Sequence, residues 1–320
     1  MSLEDLGIIG HESRTLHIDG DIILYQPCCI FNEDDDMSRR SIIKHVNNKI
    51  DKMMTNSGCD RFIFFMTTKF NFRDYLVDDY KYNRVDTERP VNLVWAKRWA
   101  TKDLAAYYKK YLEADDLLGM YQTENTVIWS LDKDLRQVPG KHLDDETGKV
   151  VQVTEDGRMA INSYVTDSGN AKEKIYFDGF VGLCFQMLTG DSTDWIVGCG
   201  KRVTQTYKTG PKAGQEYLSR KGVGPKKAYK LVLNAVMYRG SKTVQEAALG
   251  AVVEEYYKLF KGDWQKQLET QANLLYMVRW GEGNLIKRWT FDGRDEYFDI
   301  EKGVIITKEV FINDYKEAIT

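Results

Sequence analysis

The chain has 320 residues, 42% hydrophobic and 12% aromatic, enough to bury the core of one large α/β domain or of a domain with a smaller lobe. Five prolines and no low-complexity tract argue against long linkers, and five cysteines without a Cys-x-x-Cys pair argue against a disulfide framework or a zinc site. A net charge of −3 does not by itself point to nucleic acid.

Arg14 to Asp19 reads as a short strand ending on an acidic pair, and Ser38 to Asn56 has helical spacing through Ile42, Ile43, Val46 and Ile50. Arg61 to Met66 and Thr126 to Leu131 are apolar runs of strand length. Strands alternating with helices predict a mostly parallel sheet covered on both faces. Tyr80 to Lys110, rich in Lys, Arg, Trp and Tyr, predicts a projecting helical element with a loose start near Pro90. Lys141 to Thr166 reads as hairpin material, Ile175 to Leu188 as an apolar helix leading to Gly190, and the chain after Gly224 as helical. No uncharged stretch approaches the ~18 residues of a membrane span, and the start, with Glu4, Asp5 and Glu12, has no basic-then-apolar leader. A soluble protein of a reducing, cytoplasmic compartment is expected.

Four acidic clusters stand beside apolar runs: Asp19 with Asp21, Glu113 with Asp115 and Asp116, Asp132 with Asp134, and Asp191 with Asp194. Carboxylates gathered near a core repel one another and are costly to desolvate, so they call for cations. With four histidines, none at a ligand spacing from a cysteine, those cations are expected to be hard ones, Mg²⁺ or Mn²⁺. On a helix Glu113 and Asp116 share a face, and on a strand Asp132 and Asp134 do. Each cluster also has an ordinary reading: an acidic first helical turn, a polar turn after a strand, or a helix C-cap with a turn. Their number favours metal binding.

The basic residues are unevenly spread. Lys201 to Lys230 holds nine basic residues and one acidic residue, Glu216. Within it, Gly222-Val223-Gly224-Pro225-Lys226-Lys227 opens a helix on backbone N–H groups flanked by lysines, a phosphate contact or simply a tight turn. Tyr80-Lys81-Tyr82-Asn83-Arg84 combines two cations with aromatics, a substrate clamp or a solvated face. A metal site beside a basic stripe suits a polyanionic substrate.

The ordered set His17-Ile18-Asp19-Gly20, Tyr80 to Arg84, Glu113-Ala114-Asp115-Asp116, Ser130-Leu131-Asp132-Lys133-Asp134, Gly190-Asp191-Ser192-Thr193-Asp194 and Gly222 to Ala228 resembles the phage and bacterial 5′-nucleases of the flap endonuclease superfamily, most closely the T7-type phage 5′→3′ exonucleases. The resemblance implies an α/β fold with a PIN-like, mostly parallel central sheet flanked by helices. It implies a core over residues 1–189 with an arch or clamp at about 78–112. A helical DNA-binding region over 190–320 would follow, with a helix-hairpin-helix near 196–235. It assigns two divalent ions to Asp19, Glu113, Asp115, Asp116, Asp132, Asp134, Asp191 and Asp194. Lys81 and Arg84 become phosphate contacts, Gly222, Gly224, Lys226 and Lys227 a DNA grip, and K⁺ a candidate ion at the hairpin. The implied partners are DNA 5′ ends, flaps and duplexes, RNA–DNA hybrids and replication proteins, in the host cytoplasm if the chain is phage-encoded, with no membrane.

The chain departs from the pattern twice. Lys201 to Arg220 is inserted between Gly198-Cys199-Gly200 and Gly222, and Trp195 stands where an Asn is common. Two other expectations compete: a haloacid-dehalogenase-type phosphatase built on Asp19-x-Asp21, and a non-catalytic, structure-specific DNA-binding protein.

Overall fold

The computed structural model describes residues 13–85, 87–167 and 169–307. The acidic residues at positions 4, 5 and 12 lie outside them. The chain divides into two compact units, one of residues 1–71, 87–153 and 277–281, the other of 72–86, 154–276 and 282–320.

The first unit is a mixed α/β body. β1 (Thr15–Asp19) is buried at all five positions and runs directly into α1 (Gly20–Ile30). α2 (Asp36–Ser57) starts where the Asp35 carboxylate accepts from Ser38 N, and stops at Gly58, whose φ of 64° suits a residue without Cβ. Its stripe of Ile42, Val46, Ile50 and Met53 faces the core, as the helical spacing predicts. β2 (Arg61–Phe65), α3 (Leu93–Asp103), α4 (Ala114–Met120), β3 (Thr126–Trp129), β4 (Gly140–Leu143) and β5 (Val150–Val153) complete the unit. The sheet order is β2-β1-β3-β4-β5, with four parallel strands and β5 antiparallel at the edge. Leu16, Ile18, Phe64, Val127 and Trp129 join Ile42, Val46 and Ala96 in one core cluster.

In the second unit, after residues 72–86, two hairpin strands, β6 (Met159–Val165) and β7 (Ala171–Phe177), precede the helix α5 (Gly179–Thr189). α5 is buried along nearly its whole length, because three helices pack around it. Between α5 and those helices stand β8 (Gly200–Thr206) and β9 (Glu216–Gly222), an antiparallel pair. The helices are α6 (Pro225–Met237), α7 (Val244–Phe260) and α8 (Trp264–Leu275). β10 (Gly281–Glu282), β11 (Leu285–Lys287), β12 (Glu296–Asp299) and β13 (Val304–Thr307) then form a four-stranded sheet.

Four sequence expectations are corrected here. Tyr80 to Lys110 is not one projecting helix. Tyr82 to Arg84 form a single 3-10 turn in the second unit, whereas α3 belongs to the first and buries Ala96 and Ala100 completely in its core. Ile175 to Leu188 is not one helix either. β7 runs to Phe177 and Gly179 turns the chain at φ 59°, where a Cβ would meet the Thr154 carbonyl at 2.7 Å. The strand at Thr126 ends at Trp129, two residues early, so Asp132 and Asp134 do not share a strand face. The segment after Gly224 is helical only to Leu275, since β10 to β13 follow. Among the described residues no helix is long and apolar enough to cross a membrane.

Candidate functional site

In the first unit Asp19 does two jobs at once. It ends the central strand, and its Oδ1 caps α1 by accepting from Asp21 N at 3.1 Å and Ile22 N at 3.3 Å. Gly20 lets this happen, because a Cβ there would lie 2.3 Å from the Phe64 ring and 2.5 Å from the Phe65 carbonyl. The other oxygen, Oδ2, accepts from Ser130 Oγ at 2.6 Å, and Ser130 Oγ in turn accepts from Asp132 N at 3.0 Å. One serine thus ties the carboxyl ends of β1 and β3, neighbouring parallel strands, to each other.

The electrostatics of Asp19 follow from this position. Burial, then the charge of Asp21, raises its carboxyl to about 7, with a further push from Asp132; the bonds from Ser130 and Ile22 pull the other way but do not prevail. His17, two residues earlier, lies in the core against the Phe65 ring, and burial lowers it to about 4, so it stays neutral.

Asp132 is not a strand residue but the N-cap of a 3-10 turn over Lys133–Gln137, its Oδ1 accepting from Asp134 N at 2.8 Å. Asp134 is buried and pairs with Lys133 Nζ at 2.6 Å. Asp21, the second acid of the first cluster, accepts from Lys97 Nζ at 2.6 Å and from Thr67 N at 2.9 Å. Thr67 continues the chain of contacts: its hydroxyl accepts from Ala114 N at 2.9 Å at the start of α4, and its carbonyl accepts from Lys97 Nζ at 3.2 Å. Glu113 caps α4, and its N–H reaches Asp116 Oδ2 at 3.2 Å, while Asp116 Oδ1 accepts from Val278 N at 3.2 Å. Fully buried Asp116 therefore holds backbone on both oxygens, and Asp115 is half-buried on the same turn.

The second unit builds a different site. Asp191 starts a tight turn after Gly190, its Oδ1 accepting from Thr193 N at 2.6 Å and Asp194 N at 3.2 Å. The Tyr80 to Arg84 segment is fastened onto that turn from more than a hundred residues away. Lys81 N donates to the Asp194 carbonyl at 3.1 Å, and Asn83 Nδ2 donates to the carbonyls of Ser192 and Thr193. Asp194 receives Lys81 Nζ at 3.5 Å, the Arg84 guanidinium and the Tyr80 hydroxyl. Lys81 has φ 55° and Trp195 φ 60°, a left-handed region that Asn tolerates and a bulky side chain does not favour. Arg202 holds Trp195 there, its guanidinium 4.3 Å from the ring centroid, while it also donates to the Trp195 carbonyl and to Asp79 at 2.7 Å.

The glycine turn starts α6, with Gly224 as N-cap and Pro225 at the first helical position. Lys226 pairs with exposed Glu173 at 3.0 Å and Lys227 with buried Glu255 at 2.6 Å. With Lys230, Leu231 and Asn234 they line a recess of about 380 Å³.

Six of the eight carboxylates assigned to metal thus lie in the first unit, and Asp191 and Asp194 in the second with Lys81 and Arg84. Among the described residues no three His, Cys, Asp or Glu side chains are grouped so as to hold a metal ion as they stand. Sequence reasoning missed Ser130 as a link, Thr67 and Lys97, and took Arg202 and Lys230 only as members of the basic stripe Lys201 to Lys230. Of the first three only Ser130, two residues before Asp132, carried a positional hint.

Fold and site define a mixed α/β protein with a mainly parallel central sheet and several helices, with buried Asp19 at the carboxyl end of β1 and buried Asp134 in the turn that follows β3. Compared with known proteins, the chain matches no family model and no curated protein.

Proposed function

We propose that the chain is a metal-dependent 5′-nuclease, a 5′→3′ exonuclease or 5′-flap endonuclease acting on DNA phosphodiesters in replication or processing. The observation that carries this reading is Asp19: a buried carboxyl at the carboxyl end of a central parallel strand, raised to about 7 by burial first and then by the charges of Asp21 and Asp132. Ligands gather at that end of parallel sheets. The donor set fits hard cations, being oxygen throughout, and a buried acid pressed by like charges is relieved by positive charge.

Asp19, Glu113, Asp132 and Asp134 are the residues that would hold divalent ions in the first unit, with Asp115 beside them. Such ions, when bound, supply the charge that favours attack of water on the phosphorus and departure of the leaving oxygen. Ser130 orients Asp19 and Asp132 together. The phosphatase alternative needs Asp21 as a free acid, and Lys97 and Thr67 already occupy both its oxygens. In the second unit Lys81 and Arg84 would contact phosphate once drawn from Asp194.

The PIN-like and helix-hairpin-helix details belong to the same reading. In their favour, the inserted segment leaves and returns at one place: Gly200 pairs with Gly222, and Val223 N donates to Cys199 O at 3.1 Å, so the glycine turn before α6 stays closed.

The test is one set of labelled substrates in Mg²⁺: a 5′ flap, a blunt duplex, a nicked duplex and an RNA–DNA hybrid. Shortening from the 5′ end or flap removal is expected, with Asp132→Asn slower by about a thousandfold or more in single turnover while DNA binding persists. Turnover of a small phosphomonoester without any DNA cleavage would overturn the reading.

A further inference from the structure

The inserted hairpin breaks a local rule of sheet design. Residues directly opposite on antiparallel strands share a face, and like charges there are destabilising. Here Lys201 faces Lys221 and Arg202 faces Arg220. The arginine pair is used internally. Arg202 holds Asp79 and Trp195, and Arg220 donates to the carbonyls of Val197, Leu188 and Val223.

The lysine pair has no such use. Among the described residues no carboxylate pairs with Lys201 or Lys221, and Lys201 meets only the Phe260 ring, at 5.8 Å. A repulsion left without internal compensation is the mark of a functional position.

The same face carries more. Gln205 and Tyr217 are opposite each other four residues along, ~13 Å from the lysines, and Tyr217 donates its hydroxyl to Gln205 at 2.9 Å. The Tyr217 ring packs on exposed Tyr207 at 4.3 Å between centroids, and Lys212 Nζ stands 6.0 Å from the Tyr207 ring. Cations at one end of a narrow face and, at the other, exposed Tyr207 stacked on half-buried Tyr217 suit a single-stranded nucleic acid, whose phosphates take the charge and whose bases stack.

The hairpin is also fixed at its base. Gly200 and Gly222 approach so closely that a Cβ on Gly222 would lie 2.5 Å from Gly200 Cα, so the arm rises directly from the turn before α6.

We propose that the Lys201/Lys221 and Tyr207/Tyr217 face of the β8–β9 hairpin binds a single-stranded DNA segment of the substrate. The proposal rests on the nuclease reading for its substrate, not for its geometry.

The experiment titrates the full chain, in EDTA, against labelled oligothymidylate and against a labelled blunt duplex, following fluorescence anisotropy at several salt concentrations. Lys221→Glu is expected to weaken oligothymidylate binding about tenfold and to make its salt dependence shallower by about one phosphate contact. It should not lower the melting temperature, because it places opposite charges across the ladder. Tyr207→Ala is expected to weaken the same binding about fivefold or more with the salt slope unchanged. Unchanged oligothymidylate affinity in both variants overturns the proposal, as does an equal loss on the duplex. If Lys221→Glu melts early, Tyr207→Ala decides alone. Cleavage of a 5′-overhang duplex in Mg²⁺ is scored separately. Cleavage with unaltered oligothymidylate binding in both variants sinks the hairpin alone. Hairpin-dependent binding without cleavage sinks the nuclease reading alone.

Discussion

Asp19 and Asp194 are two aspartates of one sequence pattern in opposite circumstances. Asp19 is buried, is relieved only by two backbone N–H groups and one hydroxyl, and has Asp21 and Asp132 as charged neighbours. Asp194 is part-exposed and receives a lysine, an arginine and a tyrosine from Tyr80 to Arg84. Among the described residues no cation pairs with the first acid, and the second has its cations supplied by the chain. A shared residue type in a shared motif therefore does not mean a shared electrostatic state, because burial and partners set that state.

The contrast is broken most strongly by adding metal. At a Mg²⁺ or Mn²⁺ concentration a hundred times the dissociation constant, linkage is worth about 2.7 kcal/mol. The metal-free protein is expected to gain that stability in thermal melts, and Asp19→Asn to lose most of the gain. Asp194→Asn, whose acid already has partners, should keep more of it. Equal gains in all three proteins would erase the distinction.

A neutral buried group offers a control within the same sheet. His142 is 3% exposed, its Nε2–H donates to Val138 O at 2.8 Å, and burial lowers it to about 4. The unfolded chain binds this proton near 6.5 and the folded chain only near 4, so stability is full above about 6.5 and falls as the pH drops toward 4. The loss amounts to about 3 kcal/mol at most. Urea midpoints across that range should flatten in His142→Gln; a slope as steep as wild type counts against the histidine.

The basic turn sharpens the comparison on a smaller scale. Lys227 answers buried Glu255 together with Lys258, whereas Lys226 meets Glu173 in solvent. Lys227→Ala is expected to cost about 1 kcal/mol in chemical denaturation and Lys226→Ala close to nothing. Any use of Lys227→Ala as a DNA-binding probe must therefore be normalised to folded protein. Smallest is the Arg84–Asp194 coupling. With Arg84 47% exposed on its side chain, a double-mutant cycle should return about 0.5 kcal/mol, and a coupling of zero would mean that the backbone bonds alone fasten the two segments.

Much of the first unit was legible because its signals are local. The run Arg61 to Phe65, the stripe Ile42-Val46-Ile50 and the acid at the end of Thr15 to Asp19 each follow from residue spacing. The strand carrying Asp132 was read two residues too long, since the Ser130 hydroxyl that turns the chain competes with the ladder. The projecting helix failed for a similar reason. Charged and aromatic residues outnumber Ala96 and Ala100 along the segment, yet those two small residues decide which face is buried.

From residue pattern alone come the three strands β1, β2 and β3, the helix α2, the acidic character of the β1 end and the basic character of residues 201–230, because propensity, period and charge are properties of short stretches. Only the tertiary structure decided which acids are satisfied. Lys97 comes to Asp21, Ser130 to Asp19, Tyr80 to Arg84 to Asp194, and the two feet of the inserted segment to each other. Those partners lie from about twenty to more than a hundred residues apart, and packing alone brings them within hydrogen-bonding reach, where the energy of a carboxylate is set.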